Sequence, residues 1–137
     1  MKKFKYFEHT ADAKFQAYGK NLEEAFSNSA LAIVGLMTKD KIAAKIKKKI
    51  KVNGKDLKQL LSNFLEQFLF LLDSKNFILS KINKIDINVK KLELKAEISG
   101  DNVKDYEIFG DVKAITYNSM EIIREKKRIV IQVVVDM

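Results

Sequence analysis

The stretch DLKQLLSNFLEQFLFLL (56–72) decides the fold. Leu57, Leu60, Leu61, Phe64, Leu65, Phe68 and Leu72 recur at the i, i+3, i+4 spacing of one helical face. Lys58, Gln59, Ser62, Asn63, Glu66 and Gln67 fill the opposite face. Asp56 stands at the N-cap position, and Gln59, three residues on, completes a capping box. Such a stripe reads as a core helix lying on a sheet rather than as a lipid- or cofactor-binding face. Its longest apolar run, FLFLL (68–72), is far too short to span a bilayer.

A second helix lies upstream. Asn21 is its cap, Glu24 its capping-box partner, and Leu22, Ala25, Phe26, Ala30, Ile33 and Met37 its apolar stripe, with an end expected near Thr38. Around the two helices the sequence has the period of strands. Residues 3–8 alternate loosely, and 13–18 alternate Ala13, Phe15 and Ala17 against Lys14, Gln16 and Tyr18. KIKKKIKV (45–52) alternates Ile46, Ile50 and Val52 with lysines, Lys48 alone breaking the apolar face. We read it as a strand with one solvated face, its lysines also guarding a sheet edge, in preference to a nucleic-acid patch. Asn53-Gly54 marks a turn before the second helix.

The remainder is rich in β signal. FILSKI (77–82) predicts one strand, and alternation over 85–89 and 92–98 predicts two more, paired as a hairpin or partly merged into one bent strand. Residues 100–111 predict a loop with room for a helical turn; a strand starts at Val112 and turns at Asn118-Ser119. IVIQVVV (129–135) is almost wholly apolar, which places it mid-sheet with both faces covered. The expected class is α+β: two layers, a mostly antiparallel mixed sheet with two long helices on one face, as a single domain over 1–137.

Composition narrows the chemistry. The absence of cysteine excludes disulfides, thiolate metal sites, iron–sulfur clusters and a cysteine nucleophile, and fits a reducing cytoplasm. MKKFKYFEH (1–9) lacks the apolar segment of a signal peptide, and no membrane association is expected. Lys+Arg 26 against Asp+Glu 18 gives a net charge of +8, attractive to polyanions. Only Arg124 and Arg128 supply guanidinium forks, however, so the balance favours solubility over tight nucleic-acid recognition.

No Ser-His-Asp signature, phosphate loop or dinucleotide fingerprint occurs. His9, the sole histidine, reads as a ligand, a general base or a one-bond anchor for its loop. Asp136 follows the apolar strand and adjoins Met137, whose α-carboxylate would stand beside it; two such acids repel unless a cation or donor lies between them. Hard divalent cations take oxygens of this kind, and Asp12, in a tight connection between strands, offers another. The alternative reading makes Asp12 a turn cap and Asp136 a solvated end.

The segments FEHTADAKFQAYGKNLEEAF (7–26), VKAITYNSMEI (112–122) and VVVDM (133–137), in this order and in a chain of this length, together resemble the archease family. The resemblance spans nearly the whole sequence. It implies an accessory protein of tRNA splicing, not itself a ligase. Such a protein promotes guanylylation and multiple turnover of the RNA ligase that joins 3′-phosphate or 2′,3′-cyclic phosphate ends to 5′-hydroxyl ends, and RNA would be reached through that partner. It also implies a divalent cation, calcium, held by Asp12, Asp136 and the main-chain oxygen of Met137, with Lys113 a further functional position. On residue chemistry alone, Lys113 reads equally as an ordinary solvent-facing strand lysine. The sequence departs from the family pattern at Asn118, where histidine is frequent, in the loop before VKA, which holds no histidine, and at Ala13-Lys14, where a more apolar, Gly-containing stretch is usual.

Overall fold

A computed structural model describes residues 2–7 and 12–137. His9, and the HTA part of the connection read as a turn, lie outside the described residues. The chain runs β1 (Phe4–Phe7), β2 (Ala13–Gly19), α1 (Leu22–Met37), β3 (Ile46–Asn53), α2 (Leu57–Lys75), β4 (Phe77–Asn88), β5 (Glu93–Asn102), a 3-10 turn (Val103–Asp105), β6 (Ala114–Arg124) and β7 (Ile129–Asp136). The class is α+β, as expected. The strands divide between two sheets, ordered β1-β2-β7-β6 and β3-β5-β4, and every described pairing is antiparallel.

Both helices start as their sequences dictate. The Asn21 carboxamide oxygen accepts from Glu24 N–H at 2.9 Å, and Glu24 reaches back to Lys20 N–H at 3.0 Å. Asp56 and Gln59 repeat the device, at 2.8 Å to Gln59 N–H and 2.7 Å to Lys55 N–H. α2 ends at Asn76, whose left-handed backbone (φ 53°) lets its N–H bond the Leu71 carbonyl. The apolar stripes meet at Phe26 and Phe64, ring centroids 6.0 Å apart, and Phe64 packs edge-on to Phe68 at 5.1 Å.

Each sheet turns one face to the helix pair, and α1 and α2 each touch strands of both sheets. Phe15 and Ala17 of β2, Ile131, Val133 and Val135 of β7, Ile50 and Val52 of β3, and Leu94, Ala96 and Ile98 of β5 join one continuous core with the helices. β7 lies between β2 and β6, and its second face, Val130 and Val134, is buried as well. β1 is pinned to α1 by Tyr6, whose O–H donates to the Ala32 carbonyl at 2.7 Å; burial pushes the phenol up to about 12. Gly35 leaves the room for that hydroxyl, since a Cβ there would collide with it.

Two elements differ from their sequence reading. Residues 77–82 and 85–88 form one strand, not two, bent by bulges between Leu79 and Lys81 and between Ile82 and Lys84. The inward residues Phe77, Leu79, Ile82, Ile85 and Ile87 advance by two, three, three and two, so the strand's period slips twice without ending. Asn118-Ser119 is not a turn. β6 continues through it as a wide bulge, Ser119 taking a left-handed conformation (φ 57°) and its carbonyl accepting from Gln132 Nε2 at 2.9 Å. The same small polar residues serve turns and bulges because both need a left-handed backbone.

Candidate functional site

The β2–β7 ladder ends at Ala13 opposite Val135. Continuing that register by one residue sets Asp12 across from Asp136, on the face shared by Lys14 and Val134. Directly opposed residues on antiparallel strands hold their Cβ atoms about 5 Å apart. β6 closes the other flank: Ala114 pairs with Asp136, and Lys113 N–H donates to the Asp136 carbonyl at 2.8 Å. The register therefore sets Lys113 opposite Met137. Four of the five residues singled out in the sequence, Asp12, Lys113, Asp136 and Met137, thus occupy one end of one sheet; the fifth, His9, lies outside the described residues.

Neighbouring elements fix this end in place. Glu66 on α2 accepts from Ile115 N–H at 3.1 Å, holding the start of β6. The segment before β6 is tied to the end of α1, with Phe109 N–H donating to the Met37 carbonyl at 2.8 Å and Thr38 Oγ1 to the Glu107 carbonyl at 2.7 Å. Gly110 passes so close to Leu36 that a Cβ would strike its carbonyl oxygen, and that Cβ would also lie 3.3 Å from Met137 Cε. Met137 packs its side chain against the core, whereas Asp136 and Lys113 are exposed and Asp12 is half-buried.

Among the described residues, the ion pairs are Lys45–Asp101 at 3.8 Å and Arg128–Glu125 at 2.8 Å, so no cationic side chain neutralises Asp12 or Asp136. Neighbouring carboxylates with no cationic partner among the described residues leave room for a cation between them. The donor chemistry fits a hard divalent ion such as calcium, which takes six to eight oxygens. Among the described residues, however, no group of three or more acidic or histidine side chains gathers closely enough to hold a metal. Asp12 and Asp136 could supply only part of a coordination shell, and the rest would have to come from water, main-chain oxygen or another molecule.

One polar cluster carried no sequence signal. Asp101, 5% exposed, accepts from the Tyr106 hydroxyl at 2.6 Å and from Asn102 N–H at 2.8 Å, while the same hydroxyl accepts from Ala43 N–H at 3.0 Å. The Tyr106 hydrogen bond, followed by that of Asn102, holds the Asp101 carboxyl below the usual carboxylate range. These bonds stitch the chain around residue 43 to β5, so the cluster is structural. Its partners come from distant segments, and only the folded chain assembles them.

The chain is similar to known proteins over nearly its whole length. The model of the Archease protein family (MTH1598/TM1083) matches residues 4–137. The chain is 37% identical over 139 residues to a protein archease of Sulfurisphaera tokodaii, covering 99% of each. It superposes on the solution structure of Methanobacterium thermoautotrophicum protein 1598 with a TM-score of 0.84, 34% identity and full coverage of both chains. The crystal structure of an archease from Thermotoga maritima, described there as a possible chaperone, shares the fold with a TM-score of 0.66 at 20% identity, over 97% of this chain and 96% of that one.

Proposed function

Because the chain belongs to the archease family, we propose that it is an accessory protein of tRNA splicing. On this reading it activates the RNA ligase that joins 3′-phosphate to 5′-hydroxyl ends, promoting the ligase's guanylylation and multiple turnover without catalysing ligation itself. The observation that supports the reading is the match to the archease family over residues 4–137, together with strand ends that bring Asp12, Lys113, Asp136 and Met137 to one end of the β1-β2-β7-β6 sheet.

Asp12 and Asp136 would hold a divalent cation, calcium by family resemblance, with the Met137 main-chain oxygen beside them. Such an ion offsets charge where phosphate oxygens and carboxylates meet. The described side chains fill only part of its shell, which suits an edge completed by a partner's oxygens on docking. Exposed Ile108 and Phe109, next to Gly110 and hence to Met137, offer an apolar anchor of the kind that protein contacts bury. Lys113 extends from the same end, placed to meet an acidic or phosphorylated surface.

Turnover of a cognate ligase with and without this protein tests the accessory role: product should exceed ligase only when the protein is present, and equal yields would refute it. Calorimetric titration with calcium tests the edge. Binding by the wild-type chain that is lost in Asp136→Asn is expected; equal affinity in the two would remove the cation from the account.

A further inference from the structure

The outer face of the β3-β5-β4 sheet carries a lysine array, absent from the other sheet, that the sequence displays only in part. Lys47, Lys49 and Lys51 of β3, Lys95 of β5, and Lys81 and Lys84 of β4 all project from it, and all are exposed. The register arranges them in rows: Lys47–Ser99–Lys81, Lys49–Glu97–Lys84 and Lys51–Lys95–Asp86. The bulges in β4 are what bring Lys81 and Lys84 to the same face, although they stand three residues apart. Two adjoining depressions, of ≈ 390 and ≈ 420 Å³, indent this face and share Lys49 and Glu97 in their walls.

We propose that this face is a docking surface for the sugar-phosphate backbone of RNA, read without regard to base sequence. The charge of the chain is concentrated around this sheet. Residues 41–99 hold 14 lysines against 6 acidic residues while the rest of the chain is neutral, and six of those lysines, against Glu97 and Asp86, lie on this one face. Lysines kept only for solubility would be spread over the molecule. Edge protection accounts for lysines on β3, but not for Lys95 on the central strand.

The face also carries a local electrostatic cost. Lys51 and Lys95 stand directly opposite each other, and like charges so placed destabilise a sheet. An acid or a neutral residue at either position would relieve the repulsion. Among the described residues none of the six lysines pairs with a carboxylate, although Glu97 lies between Lys49 and Lys84. Their ammonium groups are left to meet an external anion.

The face lacks the groups that other partners would use. Protein partners bury aromatic and aliphatic anchors, and lysine is depleted at such interfaces. Base-reading sheets stack nucleobases on aromatic rings. The rows here hold only lysine, serine and acids, with no aromatic ring and no arginine fork. That chemistry meets phosphate as point charges and leaves the bases unread.

The inference rests on the ligase reading for the choice of RNA, and its test is independent of the ligase. Fluorescence anisotropy with a short labelled single-stranded RNA, titrated between about 50 and 200 mM salt, should give a linear log–log plot with slope between about −2 and −4, as three to six phosphates are neutralised. Uridine-rich and adenosine-rich RNAs of equal length should bind alike. Lys49→Glu/Lys84→Glu/Lys95→Glu, on exposed positions, should fold by circular dichroism and lose more than about tenfold in affinity with a flatter slope. Lys126→Glu/Lys127→Glu, outside this sheet, should bind as wild type.

Absence of binding at low salt would overturn the inference, as would equal losses in the two variants, which would mean diffuse charge. Retained RNA binding in the triple variant, with weakened ligase association, would assign the face to an acidic protein instead. A protein that binds RNA but fails to activate a ligase overturns the ligase reading alone; one that activates without binding RNA overturns this inference alone.

Discussion

Asp101 and Gly35 illustrate how single residues act here. Asp101 has its carboxyl held below the ordinary range, chiefly by the Tyr106 hydroxyl. A depressed carboxyl contributes stability that is complete above the ordinary value near 4, and that is lost as pH falls through the folded value below it. Asp101→Asn should therefore lower the urea midpoint at pH 7, and the gap from wild type should narrow at pH 3; a gap that stays constant would mean the bond contributes no pH-linked stability. Gly35→Ala sets two effects against each other. Helix propensity alone would gain about 1 kcal/mol, whereas displacing Tyr6 from the Ala32 carbonyl costs about 1–3 kcal/mol as overpacking. We expect net destabilisation in chemical denaturation, and a gain would show that Tyr6 moves aside freely. At this scale, the position of Asp12 and Asp136 at strand ends was legible because acids there interrupt the strand pattern. Asp101 and Gly35 were not, since each owes its role to a group the fold brings from another element.

Elements were legible wherever period and caps agreed. Both helices begin at the residues their capping boxes mark, and Asn21→Ala or Asp56→Ala should each cost about 1 kcal/mol in unfolding free energy, measured by denaturant melts. Strands were legible except at bulges, where the period of two slips. Ser119 is the clearest case: its left-handed backbone costs a non-glycine residue about 1 kcal/mol. Ser119→Gly should hold or raise stability and Ser119→Val should lower it. The reverse order would mean that the residue does not sit in that conformation in solution. The bulges also have a use, since those in β4 aim Lys81 and Lys84 at the face shared with β3 and β5.

Across the whole molecule, two sheets close on one pair of helices and share one core. That sharing was not legible, because nothing in a strand's own alternation says which of two sheets it joins. The partition separates two chemistries. One sheet ends at Asp136 with Asp12 one register step beyond Ala13, and the other presents a basic face of six lysines against Glu97 and Asp86. Among the described residues no helix is long and apolar enough to cross a membrane. On the functional reading proposed above, the acidic edge meets the ligase while the basic face steadies its RNA. The division makes the two roles separable by mutation, since charge changes on one sheet leave the other's register untouched. The most direct test is multiple-turnover ligation of 3′-phosphate and 5′-hydroxyl RNA ends by a cognate ligase, with wild-type protein and with folded Asp12→Asn/Asp136→Asn. The account predicts many products per ligase with the wild type and about as few with the double variant as with no added protein. A double variant that stimulates turnover as well as wild type would contradict it.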